Sequence, residues 1–169
     1  QRRCEAFTKG VTNFGHKKVT THARFIAGLM LYWAEGTKSS HVASIANSDP
    51  RIIKFAARWF REFFRVGPEE MKIYLHLHSG QDETKMKLFW SKLIGVPMKN
   101  FGKSFVKPEG SGYRKNILYN GTVCLTVKRK GSVYLLFQIL GAINGFLNKT
   151  MSEPVAPENW MNKLPHARP

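Results

Sequence analysis

Glu35 closes the segment 25–36, FIAGLMLYWAEG, an almost wholly apolar helix candidate with one acid on its last turn. A carboxylate there is disfavoured twice. Burial penalises the charge, and the helix C-terminus carries partial negative charge of its own. A metal ion, a basic partner or the pairing of two copies relieves both penalties, so Glu35 is the first candidate for chemistry. The remaining acids have structural readings. Asp49, Asp82 and Glu83 stand at helix starts, Glu62 on an amphipathic helix, and Glu69 and Glu70 in a turn; Glu5, Glu109, Glu153 and Glu158 fall in arm, loop and tail. One carboxylate makes a poor metal site. Two joined across a twofold axis suit the bridging of divalent cations for phosphodiester hydrolysis.

The second feature is a basic cluster. Between residues 97 and 130, Lys99, Lys103, Lys107, Arg114, Lys115, Lys128, Arg129 and Lys130 stand against the single acid Glu109. Cations on strands and a flexible loop suit a phosphate backbone, and Tyr113 beside Arg114 is placed to stack or contact sugar. The plainer reading is that the lysines keep an exposed sheet soluble. His76 and His78, two apart, project from one face of a strand together with Lys72 and Tyr74. They lack the third and fourth ligands that zinc wants, and read better as neutral donors on a polynucleotide-binding face.

The whole chain supports that direction. Its formal net charge is +16 over 169 residues, with a pI near 10.2, a field that favours an anionic polymer, above all nucleic acid; an acidic protein or a membrane surface is the alternative. No apolar run reaches the roughly 18 residues that span a bilayer. Two cysteines, Cys4 and Cys124, make no disulfide framework, and an intracellular setting, cytoplasm or nucleoid, is expected.

The elements that must position these residues follow from capping and periodicity. Residues 1–20 are polar and basic with little apolar periodicity, and read as an arm or connector. Thr20 or Thr21 caps a helix running to about Ala34 and stopped by Gly36. Residues 42–47 form a strand candidate. Asp49 and Pro50 then start an amphipathic helix whose core stripe includes Ile53, Ala56, Trp59, Phe60 and Phe64. Residues 71–78 alternate as a half-buried strand. A helix from about Asp82 to Ile94 follows, with Met86, Phe89, Trp90 and Leu93 as its buried stripe and Gly95 and Pro97 ending it. Residues 101–107 and 117–128 read as two more strands around a Gly-rich loop, and Ser132 caps a last helix to about Leu147. The expected architecture is an α+β layered domain at 21–149, an antiparallel sheet with helices on one face and a basic open face, followed by a Pro-rich tail at 150–169.

The stretch GLMLYWAEG, with Ala34, Glu35 and Gly36 in the closing small-acid-glycine positions, resembles the signature helix of LAGLIDADG-type homing endonucleases. The text ANSDPRIIKF and the aromatic helix after it are similar to a later region of that family, and the likeness runs from Ala23 to about Leu147. It implies motif helices packed at a twofold or pseudo-twofold axis, closing acids that bind catalytic metal, and saddle-shaped antiparallel sheets in the DNA major groove. By that resemblance Glu35 is the Mg²⁺ ligand, and Lys103 or Lys107 the cation that stabilises charge developing on phosphate. Ala27, Gly28, Leu31 and Ala34 form the contact between subunits. Met30 stands where the motif has a small glycine. Since the motif occurs once, a complete active site implies a homodimer.

Together these readings predict a protein that binds double-stranded DNA. Its expected contacts are Lys38, Lys72, Tyr74, His76, His78, Lys103, Lys107, Tyr113, Arg114, Lys115 and Lys128, and its expected activity is Mg²⁺-dependent endonuclease cleavage. The alternatives are a non-cleaving transcriptional regulator on the same scaffold and a basic RNA-binding or assembly protein.

Overall fold

Cys4, Phe7, Val11 and Phe14 recur at intervals of three and four, and the segment that carries them is helical (α1, Arg2–Gly15) in the computed structural model. The structure describes residues 2–38, 41–107 and 118–151. The segment 1–20, read as an arm or connector with little apolar periodicity, thus contains a helix, none of whose residues is buried. The expectations for Tyr113, Arg114, Lys115 and most of the tail fall outside the described residues.

Single residues set the element boundaries. The Thr20 hydroxyl accepts from the Ala23 amide at 3.1 Å and opens α2, Thr21–Glu35. Asp49 accepts from the Arg51 amide at 2.8 Å, with Pro50 in the first turn of α3, Pro50–Phe64. Asp82 accepts from the Lys85 amide at 3.0 Å to start α4, Glu83–Ile94, and Gly95 ends it at φ 63°, a left-handed conformation that glycine adopts without strain. The last helix, α5, Ser132–Thr150, starts one residue away from its expected cap. Gly131 takes that position, with no side-chain hydrogen bond, and Ser132 is already helical.

Four strands, β1 (Ser44–Asn47), β2 (Met71–His78), β3 (Phe105–Lys107) and β4 (Thr122–Val127), form one sheet in the order β1-β4-β2-β3. The β1–β4 and β4–β2 pairs are antiparallel, but β2–β3 is parallel. The expected antiparallel sheet is thus mixed. The reason is the connection, because α4 lies between β2 and β3 and returns the chain to run in the same direction. The strands at 101–107 and 117–128 are also shorter than expected.

Side-chain alternation separates two faces. Met71, Ile73, Leu75 and Leu77 are buried, and the row Ile45–Leu125–Ile73 crosses three strands. They share one core with Leu29, Tyr32, Ile53, Trp59, Phe60, Trp90, Leu136 and Ile139 from the four helices α2 to α5. The stripe expected on α4 shifts by a few residues: Trp90 and Ile94 are buried, Met86 and Leu93 only in part, and Phe89 is 37% exposed. No helix among the described residues is long and apolar enough to cross a membrane.

Candidate nucleic-acid interface

The second sheet face is built by strand register. Lys72 pairs with Thr126, which pairs with Ser44; Tyr74 with Cys124 and so Ala46; His76 with Thr122 and Phe105; His78 with Lys107. Lys72, Tyr74, His78, Thr122 and Cys124 are half-buried, and His76, Phe105 and Lys107 exposed. Four residues expected to contact DNA on β2 therefore share a face with Lys107 of β3. Lys128 joins them from the end of β4, its Nζ 5.7 Å from the centre of the Tyr74 ring, a cation–π distance. Lys103 lies exposed in the segment that leads into β3.

Six of the described acids are engaged by cations elsewhere. Glu62 pairs with Arg24 and Arg58, Asp49 with Arg51, Asp82 with Lys85, Glu83 with Lys87, Glu69 with Lys99 and Glu70 with Arg129. Hydrogen bonds from Arg51 hold the Asp49 carboxyl at about 2, and the Arg24 guanidinium holds Glu62 below the usual carboxylate range. Lys72, Lys103, Lys107 and Lys128 form no ion pair among the described residues. Their charge is left for an external anion.

Under this face lies a polar seam that sequence reasoning missed. The Ser44 hydroxyl meets Thr126 Oγ1 at 2.9 Å and Cys124 Sγ at 3.1 Å, with Ser44 and Thr126 only 4% and 5% exposed. Alternation along β4 sets Cys124 and Thr126 on this face, and strand order brings Ser44 to them. Gly102 was missed as well. A Cβ there would stand 2.5 Å from the Tyr74 ring, so glycine lets the chain cross closely beside that ring.

Glu35 stands at the edge of the same sheet. The next residue, Gly36, bridges to Ile45 of β1, and the Thr37 amide donates to Ser44 O at 2.9 Å. Tyr32 pins this turn: its buried hydroxyl donates to Thr37 O at 2.9 Å and accepts from the Ser44 amide at 3.3 Å. Burial pushes the Tyr32 phenol up, so it stays a neutral donor. Its signal in the sequence was an aromatic with a polar handle three residues before the acid. Lys38 is half-buried, its Nζ 3.4 Å from Gly36 O.

The carboxylate itself is exposed, as are Ala34 and Trp33. This corrects the expectation of a buried acid. The helix is apolar all round, yet only the side carrying Gly28, Leu29 and Tyr32 is buried, so within one chain Glu35 incurs no burial penalty. Among the described residues no group of three or more His, Cys, Asp or Glu gathers into a metal site. A single chain offers Mg²⁺ one surface carboxylate at this place, which does not fit a built metal centre.

The expected subunit contact divides. Ala27 and Ala34 are exposed and Leu31 half-buried. Gly28, in contrast, serves its own chain. A Cβ there would lie 2.0 Å from Trp59 Nε1, and that indole donates to Phe25 O at 3.1 Å. No family model matches the chain, and neither does any curated protein or solved structure.

Proposed function

We propose that this chain binds double-stranded DNA through the open face of its sheet, with the β2–β4 ribbon in the major groove. A two-stranded ribbon fits that groove, where long polar side chains reach base edges. The observation that carries this reading is the set of four lysines, Lys72, Lys103, Lys107 and Lys128, which make no ion pair among the described residues and lie on or beside one sheet face. Lysines supply phosphate affinity; Tyr74, His76 and His78 supply contacts of shorter reach.

Cleavage belongs to the same proposal but needs two chains. Two copies joined along the exposed side of α2, through Ala27, Leu31 and Ala34, would bring two Glu35 carboxylates together beside the DNA-binding faces. Such a pair would hold Mg²⁺, which activates water and stabilises charge on phosphate, and Lys103 or Lys107 would add a cation near the scissile group. Nicking of supercoiled DNA in Mg²⁺ tests this. Wild-type protein is expected to nick; Glu35→Gln is expected to bind with unchanged affinity and not nick. Nicking retained by Glu35→Gln removes Glu35 from the mechanism.

A second reading, a DNA-binding regulator without cleavage, is favoured by the single carboxylate, Glu35, that each chain brings to the end of α2. Salt-sensitive duplex binding with no nicking in either protein selects it. A preference for structured RNA over duplex DNA overturns both readings.

A further inference from the structure

Among the strand residues of the open sheet face, Phe105 is the large apolar side chain left exposed, at 58%. It pairs in register with His76, and the two rings stand 5.7 Å apart at 49°. Thr122 of β4 continues the row on the other side of His76. The ring points away from the core, since its neighbour Val106 pairs with buried Leu77 on the opposite face. β3 buries none of its three residues, so packing within the chain does not explain a phenyl group there. Cations flank it instead. Lys103 lies two residues before Phe105 and Lys107 two after, and neither forms an ion pair among the described residues.

We propose that Phe105 reads the 5-methyl group of thymine in the major groove, with His76 beside it donating to O4 of the same base. The inference rests on the duplex-DNA reading. β3 lies one strand spacing, about 4.8 Å, from β2, so a ribbon seated in a groove about 12 Å wide brings Phe105 in with it. Base edges there present hydrogen-bond donors and acceptors, and a single apolar group, the thymine methyl. A phenyl ring set against any of the polar groups would strip it of water and offer no hydrogen bond in return. The methyl is the group that matches. A neutral imidazole carries one N–H donor, and thymine presents the acceptor O4 next to its methyl. Cytosine offers neither, because an amino donor stands in place of O4. The ring pair therefore selects thymine.

The experiment measures binding of the full chain to two long duplexes, alternating dA–dT and alternating dA–dU. They differ in the methyl group and share every phosphate and every hydrogen-bonding group. Wild-type protein is expected to bind the dA–dT duplex about fourfold more tightly for each methyl it covers. Phe105→Ala should bring the two affinities together with the salt slope and the unfolding midpoint unmoved, while Phe105→Leu keeps the preference. An alternating dG–dC duplex carrying 5-methylcytosine supplies the methyl without O4. Wild type should prefer it to the unmethylated form, and Phe105→Ala should not. Salt-sensitive binding with equal affinity for dA–dT and dA–dU overturns this inference and leaves the duplex reading standing. A dA–dT preference that survives in Phe105→Ala puts methyl recognition on another residue, and also overturns it. Tighter binding to single-stranded dT than to either duplex would make the ring a stacking platform for unpaired bases, against the proposal. Absence of binding to any duplex overturns the inference and the duplex reading together.

Discussion

Glycines in two helices of this protein carry opposite meanings. Gly28 of α2 accepts the Trp59 indole against its backbone, and a Cβ there would fall 2.0 Å from Trp59 Nε1. Gly141 of α5 is exposed, with nothing within 4 Å of the same position. Gly28→Ala is therefore expected to destabilise by about 1–3 kcal/mol through overpacking, and Gly141→Ala to stabilise by about 1 kcal/mol through helix propensity. Urea midpoints of the two variants check both signs. The same scale explains what the sequence concealed about Glu35. A run such as GLMLYWA is apolar on every side, so periodicity cannot tell which side faces the sheet. The exposure of Ala34 and Glu35 was hidden for that reason, and the role of Gly28 was misassigned because the partner of a small residue is not written beside it. Caps were legible, since one residue decides each: Thr20, Asp49 and Asp82 all accept the backbone amides expected of them.

At the scale of elements, α3 and the sheet face make separate predictions. The Asp49 carboxyl at the α3 N-terminus is held at about 2 against its ordinary 3.8 by hydrogen bonds from Arg51. A depressed carboxylate contributes stability that is fully present above its unfolded value and is lost as the pH falls toward the folded one. The stability gap between wild type and Asp49→Asn should therefore narrow from about pH 4 down to about pH 2, as followed by thermal midpoints across that range. On the open face, Lys72→Ala with Lys107→Ala should lower the salt slope of duplex binding by about 2, since each phosphate contact contributes about 0.9. An unaltered slope would place the DNA on another surface. The alternation of β2 made this face readable from sequence. The direction of β3 was not readable, because three exposed residues, Phe105–Lys107, carry no mark of parallel or antiparallel pairing; only the connection through α4 decides it. In α1 the interruptions at Thr8, Gly10 and Thr12 masked a helical stripe of only four residues, Cys4, Phe7, Val11 and Phe14.

For the whole molecule, a net charge of +16 sets pairing of copies and binding of DNA in opposition. Two such chains repel each other, and added salt shortens the range of that repulsion to about 10 Å at 0.1 M. Salt also weakens phosphate contacts. Raising salt from about 50 to 300 mM should thus strengthen self-association in sedimentation while weakening duplex affinity, with cleavage greatest between the extremes. A monotonic fall of both quantities would show that the contact between copies is itself held by charge rather than by the apolar side of α2.

The strand order has a consequence for how the protein is made. β4 sits between β1 and β2 although it is the last strand to be synthesised, with Ser44 waiting for Thr126 and Lys72 for the same residue. Until about residue 127 has emerged, the growing chain holds β1 on one side of a gap and the β2–β3 pair on the other, with open edges that invite pairing with neighbours. Fragments that stop before Thr122 should consequently need chaperones throughout their lifetime, and should gain a cooperative melting transition only when the missing strand is added back.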